Sequence, residues 1–229
     1  MNQNIVYDFT KFTTTDYEGE IALVVWHIGC NLRCSYCYND KLVFSKTAIY
    51  SHSDILDFLK KRRGLLSAVV LSGGEATMHD LAPFCRELKK MGFKVKLDTN
   101  GMNFKQIKEL IEENLIDFIS LDFKAPKDKY FEITAKNSYD SFYKTLEYLI
   151  NLSNCTKFAF ELRTTINTSL LDESDINTMI EELFCIGYSG IFYIQNFLET
   201  PSNIGNIKIS RAIDESLINS EILTIKYRN

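Results

Sequence analysis

Short apolar runs of the kind that form buried strands alternate along this chain with segments whose apolar residues recur at helical spacing. The runs fall at residues 21–26, 68–71, 93–97, 118–121, 158–162 and 191–194. Between them lie stripes such as Ile55/Leu56/Leu59, Leu81/Phe84/Cys85/Leu88 and Ile107/Leu110/Ile111, then Phe142/Leu146/Leu149/Ile150 and Ile176/Met179/Ile180/Leu183. Strand and helix alternating about six times predict an α/β fold with a parallel sheet and right-handed crossovers, either a barrel or an open doubly wound sheet. Residues 1–19 read as polar and aromatic by turns, with Asp16–Gly19 turning the chain into the first strand. Ser53 reads as the N-cap of the first helix and Gly64 as its close, with Lys60–Arg63 in the last turn, where positive charge complements the helix dipole. A final strand is expected at 222–225.

Polar residues recur where the predicted strands end: Ser72-Gly73-Gly74-Glu75, Asp98-Thr99-Asn100, Asp122-Phe123-Lys124, Arg163 and Gln195. In parallel α/β folds that edge carries binding and catalysis. After the first run comes Cys30-Asn31-Leu32-Arg33-Cys34-Ser35-Tyr36-Cys37. Three thiols on one short loop can converge on one ion or cluster and leave a coordination position open. By spacing alone, structural zinc, an iron–sulfur cluster and chance all remain, and His27 is the candidate for a fourth zinc ligand.

Composition narrows the class. With 229 residues, 45% hydrophobic and 24% charged, the chain suits one ordinary globular domain. A net charge of −4 gives no expectation of nucleic-acid binding. No run reaches the roughly 20 apolar residues of a membrane span, and the N-terminus has no secretory pattern, so a cytoplasmic protein is expected. In that compartment the six cysteines are thiols or metal ligands. Cys85 and Cys185 read as small apolar residues on helices, and Cys155 stands alone in a polar turn. His52 reads as a surface residue, His79 as a helix-start residue and Trp26 as packing in the barrel.

The cysteine spacing, the aromatic Tyr36 before the third cysteine and the following Gly73-Gly74-Glu75 together resemble the radical S-adenosylmethionine (SAM) superfamily. Leu97–Gly101, Leu121–Pro126, Glu161–Thr165 and the Tyr193/Gln195 strand are similar to glycyl-radical-enzyme activases, most of all those of anaerobic ribonucleoside-triphosphate reductases. The chain departs from them at Ala76, where proline is usual, and at Tyr38-Asn39-Asp40, where His-Asn-Pro is typical.

The resemblance implies a partial (β/α)6 TIM-like barrel of radical SAM type, one domain over 1–229 with its core at about 20–198 and a C-terminal extension at 199–229. It implies a 4Fe–4S cluster on Cys30, Cys34 and Cys37, with one iron left for SAM. It places Tyr36, Gly73, Gly74, Glu75, Asp98, Asn100, Lys124, Arg163 and Gln195 around SAM, and Asp98, Thr99 and Asp122 at a monovalent-cation site. The partners it implies are a glycyl-radical enzyme as protein substrate and a flavodoxin or ferredoxin-type electron donor. Two other functions are open: a radical SAM enzyme acting on a small molecule such as a 7-deazapurine precursor, and a non-catalytic zinc-binding module.

Overall fold

A computed structural model describes residues 1–228. In chain order the elements are β1 (Asn4–Thr13), β2 (Ala22–His27), α1 (Asp40–Phe44), β3 (Tyr50–Ser51), α2 (His52–Lys60), β4 (Ala68–Gly73), α3 (Ala82–Lys90) and β5 (Lys94–Thr99). There follow α4 (Phe104–Glu112), β6 (Phe118–Asp122), α5 (Tyr130–Thr134), α6 (Tyr139–Cys155), β7 (Ala159–Ile166), α7 (Glu173–Cys185), β8 (Phe192–Asn196) and β9 (Ile225–Arg228). They make two compact units. The first comprises Met1–Asn31, Lys41–Thr99 and Asn103–Ile119; the second comprises Leu32–Asp40, Asn100–Met102 and the chain from Ser120 onward.

In the first unit the strand order is β3-β1-β2-β4-β5. β2, β4 and β5 are parallel, with Val24 opposite Val70 and Val70 opposite Lys96. Ala22–Val25 and Ala68–Leu71 are buried throughout, which is why these strands read as continuous apolar runs rather than alternating ones. β1 pairs antiparallel with both β2 and β3, through irregular registers. Residues 1–19 carry no strand pattern of their own, because β1 is partly exposed, carries Asp8 and Lys11 and takes its order from pairing with β2 and β3.

The start of α2 also corrects the sequence reading. Its N-cap is Ser51, not Ser53: the Ser51 hydroxyl accepts from Asp54 N while the Asp54 carboxylate accepts from Ser51 N, a full capping box. The helix ends at Lys60, so Arg62, Arg63 and Gly64 lie beyond it.

His52, expected at the surface, is 2% exposed, stacked on Phe84 with ring centroids 4.1 Å apart. His27 is wholly buried, and its Nε2 lies 2.9 Å from His52 Nε2. His27 Nδ1 lies 3.1 Å from Ser72 O, which can only accept, so Nδ1 carries the proton and the bare Nε2 accepts from His52. His79, beyond a 3-10 turn rather than at a helix start, stacks on His27 and donates through Nε2 to Ile28 O at 2.8 Å. Burial pushes the His27 imidazole down to about 4, and burial, then the neighbouring His27 and His79, push His52 down to about 2.

A pH prediction follows from these histidines. Both are neutral when folded and regain an ordinary value near 6.5 when unfolded, so the unfolded chain binds more protons below that pH. Their contribution is complete above pH ~6.5 and is lost as the pH falls from there, through about 4 for His27 and on towards about 2 for His52. Urea midpoints at pH 7.5 and pH 5 should differ by roughly 2–4 kcal/mol in stability. A His52→Gln variant should show a flatter profile, and an unchanged slope in that variant would contradict the assignment.

In the second unit the order is β6-β7-β8-β9, with β7, β8 and β9 parallel. Its core centres on Phe123, Tyr130, Phe142 and Phe192, all essentially buried. β9 lies at 225–228, just past the run at 222–225 expected to form it. Arg228 reaches back to Glu161 Oε2 at 2.9 Å and lies 3.5 Å over the Tyr193 ring, which fixes that last strand. Among the described residues no helix is long and apolar enough to cross a membrane.

Candidate active site

The chain leaves β2 at His27 and turns at Gly29, whose φ of +79° suits glycine and whose N–H donates to Leu42 O at 2.8 Å. Cys30 follows. Alongside it runs the end of β4: Gly74 N donates to His27 O at 2.9 Å and Glu75 N to Gly29 O at 2.8 Å. A Cβ on Gly73 would stand 2.3 Å from His27 N, and one on Gly74 would stand 1.9 Å from Gly29 O. The two glycines therefore let the backbone leading into Cys30 lie directly on the strand end. The resemblance places them around SAM; the chain's own approach already requires glycine at both positions.

Glu75 is 2% exposed, and its Oε1 accepts from Thr77 N, Thr77 Oγ1 at 2.6 Å and Thr99 Oγ1 at 2.8 Å. Thr77 went unnoticed in the sequence, although a hydroxyl two residues after a strand-end acid is a common local partner for it. Thr99, expected to face a cation, thus spends its proton on Glu75. Asp98 accepts from Ser72 Oγ at 3.1 Å, and its other oxygen lies 3.6 Å from Lys96 Nζ. Lys96, buried although it stands in a strand, donates to Asp16 O at 2.6 Å.

In the second unit lie Cys34, Tyr36 and Cys37, on a loop whose backbone is bonded on both sides. Arg33 N and Ser35 N donate to Thr134 O and Ile133 O, two carbonyls that the end of α5 leaves unpaired within the helix. Cys37 N donates to Cys34 O at 3.0 Å. Tyr36 is 5% exposed, and its buried hydroxyl has no hydrogen-bond partner among the described residues. Lys124 Nζ sits 6.0 Å from the Tyr36 ring centroid, at the outer reach of a cation–π contact.

Asp122 at the end of β6 ties this group together. Its Oδ1 accepts from Arg163 Nε at 2.5 Å and its Oδ2 from Lys124 Nζ at 2.9 Å. Burial alone would raise the Asp122 carboxyl, but the two cations outweigh it and hold it at about 2. Burial pulls the Lys124 ammonium down, and Asp122, Tyr36 and Cys34 more than reverse that. Lys124 and Arg163 together neutralise Asp122, so it already has the balance an added cation would supply. Burial pushes the Cys37 thiol up, against the pull of the Asn39 amide and Lys124.

Asn100 is buried, with its Oδ1 accepting from Met102 N at 3.0 Å. Gln195 stands on β8, paired in register with Thr165 and Arg228. The first unit thus groups Cys30, Gly73, Gly74, Glu75 and Thr99, with Asp98 beside Ser72. The second groups Tyr36, Lys124, Asp122 and Arg163 beside Cys34 and Cys37.

Three thiols are the soft donors that an iron–sulfur cluster takes, and among the described residues no three His, Cys, Asp or Glu side chains already stand together as a metal site. All six cysteines are thiols, and the loop holding Cys34 and Cys37 keeps its backbone satisfied without a metal. His27 does not serve as a fourth zinc ligand, since both ring nitrogens are committed to Ser72 and His52. That removes the geometric basis of the zinc-module reading.

Residues 24–178 match the Radical SAM superfamily. Over 75% of its length the chain is 33% identical to a Methanocaldococcus jannaschii protein provisionally named a glycyl-radical enzyme activating enzyme, covering 72% of that protein. It is 31% identical to the pyruvate formate-lyase 1-activating enzyme of Escherichia coli K12, over 65% of this chain and 62% of that one. Streptococcus suis SuiB bound to S-adenosylmethionine superposes with a TM-score of 0.67 at 16% identity. That match covers 88% of this chain and 48% of SuiB, so the chain spans about half of SuiB's length and the likeness is one of fold. The expected α/β fold of radical SAM type is borne out. With the family pattern over most of its length, this enzyme belongs to the radical SAM superfamily, whose members work with a 4Fe–4S cluster and S-adenosylmethionine.

Proposed function

We propose that this enzyme activates a glycyl-radical enzyme, with an anaerobic ribonucleotide reductase as the first partner to test. The observation that carries the reading is the 33% identity to a named activating enzyme across nearly three quarters of that protein. When bound, a reduced 4Fe–4S cluster with SAM would supply the one-electron chemistry that abstracts a hydrogen atom, directed in this reading at the Cα of a glycine in the partner.

The chain's own residues bind, orient and exclude water. Cys30, Cys34 and Cys37 hold the cluster as thiolates. The Lys124 ammonium favours the Cys34 and Cys37 thiolates and the carboxylate of SAM. Tyr36, with a buried hydroxyl unpartnered among the described residues, lies against the adenine and has a hydrogen bond to give it. Glu75, held in place by Thr77 and Thr99, receives the SAM ammonium. No side chain is required to act as acid or base. Electrons come from a flavodoxin or ferredoxin-type donor.

The test is electron paramagnetic resonance on anaerobic mixtures of the reconstituted enzyme, SAM, a reductant and candidate partners. The expected result is the doublet of a carbon-centred glycyl radical on one partner, with deoxyadenosine and methionine formed alongside. Deoxyadenosine formed only when a small substrate such as a deazapurine precursor is added, with no protein radical, would overturn the reading.

A further inference from the structure

The segment beyond β8 does more than end the chain. Ile204 N donates to Cys37 O at 3.0 Å, and Gly205 N donates to Ser35 O at 2.7 Å. These bonds fall on the opposite polar edge of the same loop whose N–H groups are bonded by the end of α5. The turn that presents the two amides is closed by one side chain. Asn203, 8% exposed, donates through Nδ2 to Ile207 O at 2.8 Å and accepts at Oδ1 from Ile207 N at 2.7 Å. Gly205 approaches so closely that a Cβ on it would stand 2.9 Å from both Ser35 Cβ and Ser35 O. Only glycine fits there. A surface loop in casual contact needs neither a buried asparagine bridging its own ends nor a glycine pressed onto its neighbour's backbone.

We propose that Asn203–Ile207 is a strap that positions the Cys34–Cys37 loop, so that these two thiols are aligned before any iron arrives and are retained there afterwards. Asn203 and Gly205 are positioning residues acting through the backbone of Ser35 and Cys37. The chemistry they support is ligation of iron by thiolate, in which each thiol gives up its proton as the metal–sulfur bond forms. The proposal rests on the reading of Cys34 and Cys37 as cluster ligands.

The test compares the wild-type chain with Asn203→Ala, Gly205→Ala and Asn206→Gly, each metal-free and after anaerobic reconstitution with iron and sulfide. Asn206 has φ of +53°, which glycine tolerates, so that variant keeps the strap and serves as the neutral control. In the metal-free state, amide exchange at Ile204, Gly205 and Cys37 should be faster by about fivefold to tenfold in the alanine variants than in wild type. After reconstitution, the same variants should surrender iron to a chelator several times faster, with Asn206→Gly matching wild type.

Gly205→Ala adds a clash and Asn203→Ala only removes atoms, so if the former does not fold the latter carries the test. Wild-type exchange and iron release in Asn203→Ala would overturn the strap. A wild-type chain that binds no iron would instead overturn the ligand assignment beneath it, which is a separate result.

Discussion

Cys34→Ala, purified and reconstituted without oxygen, is expected to hold no 4Fe–4S cluster and to cleave no SAM, a loss of more than about a hundredfold. The physical reason is ligand count. The proposed site offers three thiols, two of them on the loop bonded between the end of α5 and the 204–205 amides, and no imidazole in reserve. Removing one leaves a two-thiol site that cannot hold a cubane with a single open iron. Iron and sulfide content, the brown absorbance and deoxyadenosine release would report it. Cys85→Ala is the matched control. Cys85 is wholly buried on α3, and burial pushes its thiol up to about 12, so it packs as a small apolar group. Its loss should cost about 1 kcal/mol through a small cavity and leave both cluster and cleavage in place. Normal turnover by Cys34→Ala, or a lost cluster in Cys85→Ala, would refute the ligand assignment.

Gly74→Ala comes next in expected effect. A methyl at this position would meet Gly29 O at 1.9 Å and Gly29 C at 2.7 Å, both backbone atoms that no rotamer can move aside. The strand end and the Cys30 arm must separate, breaking the Gly74-to-His27 and Glu75-to-Gly29 bonds that hold them together. The expected cost is about 2–4 kcal/mol in the metal-free protein, read from denaturant midpoints. Cleavage should fall by roughly a hundredfold, because a ligand displaced by an ångström misplaces everything bound to it. Gly92→Ala offers the comparison: nothing lies within 4 Å of its added methyl, and only the φ of +88° is strained. It should cost about 1 kcal/mol and leave cleavage near normal. Equal effects for the two substitutions would show that close approach at Gly74 is not what constrains it.

The strand–helix alternation was legible in the sequence because buried parallel strands are apolar on both faces and their helices carry clear stripes. The chemistry was legible for a related reason, since polar residues interrupt those runs at Glu75, Asp98 and Asp122. What stayed hidden depends on distant partners. β1 is ordered by β2, the three histidines meet only in the folded chain, and nothing near Gly205 indicates that it lies on Ser35. The N-cap of α2 was different. Ser51 has an acid three residues on and Ser53 does not, so the capping box could have been found by pattern. Asp122 shows the limit of reading a carboxylate alone. Its place at a strand end does not reveal that Lys124 and Arg163 sit on its two oxygens.

The imidazoles of His27, His52 and His79 are the only three in the chain, and all are engaged inside one unit. His27 and His52 are buried and offer nothing to a nickel resin, so any retention of the untagged protein would have to come from thiols or from the half-buried His79. A histidine-directed acylating reagent would likewise reach His27 and His52 only as that unit opens, and uptake at those two would record unfolding rather than a reactive base.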